Sequence, residues 1–126
     1  MGKQATVRKF SDTQANAKLK QLRISTQKLN LVADLIRGMR ASEALIQLQF
    51  SNKRISRDVK ALLESAIANA ENNHDLDIDR LIVDRVNVGK SITMKRFRAR
   101  ARGRGAKILK PFSKIEIVVR EVEEGC

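Results

Sequence analysis

Met94-Lys-Arg-Phe-Arg-Ala-Arg-Ala-Arg-Gly-Arg-Gly-Ala-Lys-Ile-Leu-Lys110 is the stretch on which the reading of this 126-residue chain turns. Arg96, Arg98, Arg100, Arg102 and Arg104 recur at every second position. On a strand that period sets all five guanidinium groups on one face, about 6.6 Å apart; on a helix it would scatter them around the axis. Ala99, Ala101, Gly103 and Gly105 between them are small, so the backbone can approach a crowded surface closely. Upstream, Leu81, Ile82, Val83, Val86, Val88 and Ile92 favour a strand. Downstream, Ile115, Ile117 and Val119 alternate with Glu116, Val118 and Arg120, the pattern of a half-buried strand. Two β-type segments around a Gly-containing basic stretch predict one antiparallel hairpin over about residues 82–119. About 12 residues per arm beyond the body would reach roughly 40 Å. Pro111 is tolerable because both strands of a lone hairpin are edges. Such a ribbon is marginally stable by itself and is expected to be mobile until a partner orders it.

The charge is as uneven as the hydropathy. The chain has 26 Lys+Arg against 14 Asp+Glu, a net charge of +12. Residues 80–114 alone hold twelve Lys/Arg and one acid, Asp84. The rest is nearly neutral, so a balanced body carries one strongly cationic segment. Like charges at that density repel one another unless a polyanion lies close, and nucleic acid is the commonest such partner. Arginine suits phosphate because its planar fork donates two parallel hydrogen bonds and its plane stacks on bases. Only Phe97 and Phe112 lie near the charge, each more readily a packing residue of the hairpin than a base stacker. No aromatic-rich sheet motif and no GxxG loop is present, which disfavours RRM and KH modules. Composition leaves RNA and DNA both open, the DNA alternative being a dimeric architectural protein with a bending β-ribbon.

The remaining segments read as a small body. Residues 1–14 are polar and aperiodic and are expected to form a flexible extension. Ala15, Ala17 and Leu19, then Leu22 and Ile24, give an imperfect strand alternation. Ser25 is placed to cap a helix through Leu29, Leu31, Val32, Leu35 and Ile36, closed by Gly38. A second helix is expected from Ser42, with Ala44, Leu45, Leu48 and Phe50 on one face. A third is expected to be capped by Ser51, with Ile55, Val59, Leu62, Leu63, Ala66, Ile67 and Ala70 at helical spacing. Asn72, Asn73 and His74 end it. An acidic tail follows the last strand at 121–126.

Little here supports catalysis. There is one His (His74), one Cys (Cys126), no Tyr and no Trp. No disulfide or Cys-based zinc site can form within one chain, and a reducing compartment is the natural setting. Asp75, Asp77 and Asp79 resemble the start of a calcium loop, but the Gly and closing Glu are missing. No catalytic residue, metal site or cofactor is assigned. No apolar run reaches the roughly 18 residues of a membrane-spanning helix, so no membrane partner is expected.

With these residues in view, the chain resembles the bacterial-type L twenty-two family of large-subunit ribosomal proteins. Arg23-Ile-Ser-Thr-Gln-Lys28 and Leu31-Val-Ala-Asp-Leu-Ile-Arg-Gly38 are similar to that family's first helix. Leu63-Glu-Ser-Ala-Ile-Ala-Asn-Ala-Glu-Asn-Asn73 is similar to its third. Met94-Lys-Arg96, Arg100-Ala-Arg-Gly-Arg104 and Ile115-Glu-Ile-Val-Val119 are similar to its hairpin. Asn30 stands where the family often has Arg, and Lys114 where His, Asp or Asn is usual.

The resemblance implies an α+β fold, three helices packed on a small three-stranded antiparallel sheet with a long protruding basic β-hairpin, in one domain over 15–120. It implies a non-enzymatic, cytoplasmic constituent of the large ribosomal subunit, monomeric within the ribosome. Such a protein binds 23S-type rRNA, supports assembly, touches neighbouring ribosomal proteins, and lines the exit tunnel of the nascent polypeptide with its hairpin. Carried over, the rRNA contacts are Arg23, Lys28, Arg37, Lys90, Lys95, Arg96, Arg98, Arg100, Arg102, Arg104, Lys107 and Lys110. The tunnel-facing tip is Met94, Lys95, Arg96, Phe97, Arg98, Ala99 and Arg100.

Overall fold

Ser25 sits in extended backbone and its Oγ accepts a hydrogen bond from the Lys28 N–H at 3.4 Å, so the first helix starts at the expected cap. The computed structural model, which describes residues 13–99, 101–103 and 105–122, continues that helix, α1, over Thr26–Ile36. Gly38 follows at φ 77°, a left-handed conformation that costs glycine least. Leu29, Val32, Ala33 and Ile36 are buried, one face of the helix. Leu31 and Leu35, expected to share that face, are 51% and 44% exposed.

α2 spans Ala41–Gln49 and buries Ala41, Ala44 and Leu48; it begins one residue before the expected Ser42. Phe50 does not join its apolar face and is 77% exposed. Two residues past Leu48 is a rotation of about 200°, which turns Phe50 away from the core. α3 spans Ser56–His74, four residues later than a Ser51 cap would start it. Ser51 Oγ instead accepts from the Lys53 N–H and from Ser56 Oγ, stabilising the turn between α2 and α3. The expected apolar face of α3 is otherwise correct: Val59, Leu62, Leu63, Ala66, Ile67 and Ala70 are all buried. Asp75 ends the helix in a left-handed conformation, and a 3-10 turn follows at Ile78–Arg80.

Three strands complete the α+β fold: β1 (Gln14–Leu22), β2 (Leu81–Ala99) and β3 (Gly105–Glu121), antiparallel in the order β1-β3-β2. The core lies between the helices and one face of this sheet, where Ala15, Val83, Val86, Ile115, Ile117 and Val119 meet Leu29, Ile36 and Leu63. The imperfect alternation of β1 has a physical cause, a register shift between Leu19 and Leu22. In β2 an extra residue, Asp84, lies between the Val83–Val119 and Arg85–Val118 pairs, so Val83 and Val86 both face the core. β3 is more buried than the sequence pattern implies. Val118, on the face away from the core, is 0% exposed between its ladder partners Asn16 and Arg85.

Thr13, Gln14, Glu121 and Val122, read from the sequence as parts of the extension and tail, are joined to the sheet. Gln14 pairs with Arg120, the Glu121 N–H donates to the Thr13 carbonyl at 2.9 Å, and the Val122 N–H donates to the Arg80 carbonyl at 3.0 Å. Residues 1–12 and 123–126, including Cys126, lie outside the described residues, as do Arg100 and Arg104.

Truncating Leu63 to Ala is expected to cost about 2–5 kcal/mol, because the core cannot fully close over the lost atoms. Phe50→Ala is expected to change stability by less than about 0.5 kcal/mol. Urea unfolding followed by far-UV circular dichroism compares them, and equal losses would contradict the outward orientation of Phe50.

Candidate nucleic-acid interface

β3 leaves the body as the middle strand of the sheet and continues as one arm of a ribbon. Its last partner on β1 is Leu22, opposite Ser113. Ser113 is fully buried and its Oγ donates to the Ile24 carbonyl at 2.6 Å, fastening the base of the ribbon to the turn before α1. Beyond that point only β2 and β3 pair, over residues 91–99 and 105–112. At about 3.3 Å per residue the paired part of this ribbon is about 30 Å long. Pro111 lies in this two-stranded part opposite Thr93, beside a register shift between Lys90 and Thr93, where a missing N–H breaks no ladder to β1.

The register sorts the ribbon's side chains onto two faces. Met94 pairs with Lys110, Arg96 with Ile108 and Arg98 with Ala106, so Arg96, Arg98 and Lys110 share one face. By the alternation of β3, Lys110, Phe112, Lys114 and Glu116 follow one another on that side, and Lys18 pairs with Glu116 from β1. A cationic stripe thus runs along the outer surface of the sheet and out onto the ribbon. The other face carries the pairs Lys95–Leu109, Phe97–Lys107 and Ala99–Gly105 and continues the core-facing side beyond the helices. Phe97 is 77% and Leu109 56% exposed there. Ala99 is exposed, while Met94 is only partly so.

The expectation that five arginines share one strand face is corrected at the turn. β2 ends at Ala99, and Arg102 lies in the turn Ala101–Gly103 at φ 64°. A left-handed residue breaks the two-residue period, so Arg102 leaves the face that Arg96 and Arg98 share. Gly103 follows at φ 71°.

Glu116 organises the outer face at the ribbon's root. Its carboxylate accepts hydrogen bonds from Asn16 Nδ2 at 3.1 Å and Asn87 Nδ2 at 3.3 Å, and pairs with Lys18 Nζ at 3.4 Å. One acid thereby links all three strands. Burial pushes its pKa up, but the hydrogen bonds from Asn16, Asn87 and Lys18, with the charge of Lys18, hold the carboxyl below its ordinary value. Around this point Lys18, Lys20, Lys90 and Lys114 line a groove of about 590 Å³.

On the body, Arg23 is exposed in the turn after β1 and Lys28 in the first turn of α1. Arg37 is engaged within the protein. Its Nε and Nη2 donate to the Val86 carbonyl at 3.2 and 2.8 Å, Nη2 also reaches Asn30 Oδ1 at 3.2 Å, and Nη1 pairs with Asp34. Asn30 therefore serves as an acceptor for Arg37. A second basic cluster, Lys53, Arg54, Arg57 and Lys60, surrounds a groove of about 510 Å³ between α2 and α3. The sequence reading missed it, although Lys53, Arg57 and Lys60 recur at helical spacing. Among the described residues no group of three or more His, Cys, Asp or Glu is placed to hold a metal ion.

The family model for ribosomal protein L22p/L17e matches residues 17–120. The large ribosomal subunit protein uL22 of Maricaulis maris (strain MCS10) is 65% identical over 126 residues, the whole of both chains. That of Methylobacterium radiotolerans is 63% identical over 125 residues, 99% of this chain and 98% of the relative. That of Ruegeria sp. (strain TM1040) is 61% identical over 124 residues, 98% of each.

The Glu116 network makes a pH prediction. A carboxyl whose pKa is lowered in the folded state stabilises the fold above the ordinary carboxylate range, and that contribution is lost as pH falls through the folded pKa. Glu116→Gln is therefore expected to cost about 1 kcal/mol at neutral pH and to flatten the loss of stability below about pH 5. Urea unfolding at neutral and acid pH measures both, and an unchanged acid slope would show that Glu116 is not held as described.

Proposed function

The chain belongs to the ribosomal protein L22p/L17e family, and from that premise we propose that it binds large-subunit rRNA and reaches the nascent-peptide exit tunnel with its ribbon. It is a structural constituent of the large ribosomal subunit, cytoplasmic and not an enzyme. One observation carries the finer reading. Residues 85–115 hold eleven Lys/Arg and no Asp or Glu, and the ribbon formed by 91–99 and 105–112 carries cations on both faces. The ribbon has no acid of its own, whereas rRNA supplies phosphate on every side of a crevice.

In this reading the body docks on the subunit surface beside neighbouring ribosomal proteins, with Arg23, Lys28 and the Lys53–Arg57–Lys60 cluster toward rRNA. The ribbon then fills a crevice between rRNA segments that would otherwise repel one another, which supports assembly. Its tip borders the path of the nascent polypeptide. Affinity comes from counterion release, and selectivity from RNA shape, since no base-reading motif is present. Lys90, Lys95, Lys107 and Arg102 join Arg96, Arg98 and Lys110 in the phosphate contacts. Arg100 and Arg104, outside the described residues, are assigned the same role by their position in the sequence.

Sedimentation of a cell lysate at low and high salt, with and without RNase, tests the reading. Retention on the large subunit through high salt, abolished by RNase, is the expected result, whereas release at moderate salt and co-migration with DNA would refute it. In purified form, changing Arg96, Arg98 and Lys110 together to Ala is expected to lower the salt slope of rRNA binding by about 2–3. Helical content should be unchanged, and its collapse would contradict the separation of body and ribbon.

A further inference from the structure

Phe97 is 77% exposed, and its ring lies against the opposite strand. A Cβ on Gly105 would lie 1.7 Å from its Cζ and 2.5 and 2.6 Å from the adjacent ring carbons. The ring therefore reaches from β2 across the ladder, and its far end occupies the space that a side chain on Gly105 would fill. Glycine on the opposite strand is the seat for the ring. Lys107 is the direct ladder partner of Phe97, and Lys95 stands two residues earlier on the same face. No acidic residue occurs between Asp84 and Glu116.

A packing role alone would account for a ring enclosed by neighbours, not for one left open over most of its surface. An open aromatic ring held in place between two cations is the combination by which proteins hold unpaired nucleotides, with stacking on the ring and phosphates on the lysines. We propose that Phe97 is a stacking platform for an unpaired RNA base, with Lys95 and Lys107 receiving the flanking phosphates. The proposal rests on the reading of this chain as an rRNA-binding protein and adds a division of labour to it. The face of Arg96, Arg98 and Lys110 takes sugar–phosphate backbone, and the face of Phe97 takes a base that has left its helix.

The chain lacks Trp and Tyr, so Phe97→Trp places a single indole at the site. The full-length variant is titrated with a short single-stranded oligoadenylate and with a blunt RNA duplex carrying the same number of phosphates. The oligoadenylate is expected to quench the indole strongly and the duplex to quench it little. Phe97→Ala is expected to weaken oligoadenylate binding roughly tenfold and to leave duplex binding unchanged. Gly105→Ala, which displaces the ring without removing it, should produce the same selective loss. Equal losses on both probes, or oligoadenylate binding without quenching, would overturn the stacking site while leaving rRNA binding intact. Quenching by an uncharged apolar peptide but not by oligoadenylate would overturn it in favour of a peptide contact. Failure of the unaltered chain to bind either RNA at low salt would remove the rRNA reading itself.

Discussion

The ladder that joins β2 to β3 runs from the Leu81–Glu121 pair to the Ala99–Gly105 pair and passes through two environments on the way. Near the body it is covered by helices on one face and by the Glu116 network on the other, and β1 completes the sheet. Beyond Ser113 the same backbone hydrogen bonds have no third strand beside them. A two-stranded ribbon in water gains little from pairing and loses chain entropy. Its direction is therefore set at the root, by Val83, Val86, Ile115 and Ile117 in the core and by the Ser113 bond to Ile24.

The ribbon carries Arg96 and Arg98 on one face and Lys95 and Lys107 on the other, with no acid of its own to pair them. The nearest organised carboxylate, Glu116, is already bound to Asn16, Asn87 and Lys18. Glu116 is thus committed to the root of the sheet, and no carboxylate of the ribbon balances the ribbon's charge. That asymmetry is what the proposed rRNA binding rests on, because phosphate repulsion in folded rRNA is screened only in part by mobile counterions.

Much of this was legible before any coordinates. The apolar spacing of α3, the Ser25 cap, Gly38 and the two-residue period at 115–119 are local signals with local causes, and each appears as expected. What was not legible depends on neighbours or on turn geometry. Ser51 resembles a helix cap in sequence, but its hydroxyl is taken by Ser56 and the turn continues to Ile55. Val118 reads as an outward residue because nothing in one strand reveals that β3 is flanked on both sides. The run of alternating arginines conceals the point where strand becomes turn, and Arg102 lies beyond it. Arg37 is basic and near the hairpin, yet its donors close the gap between α1 and β2. The seat of Phe97 on Gly105 required the register of two strands, which a sequence does not contain.

Hydrogen exchange of individual amides, measured in the free chain and after assembly into the large subunit, tests whether the ribbon takes its order from outside the protein. Amides of α3 and of β3 between Ser113 and Val119 should be protected in both states. Ladder amides at 93–99 and 105–111 should exchange rapidly in the free chain and become protected on assembly. Equal protection of the ribbon in the free chain would contradict the claim that it depends on a polyanion outside the protein for its order.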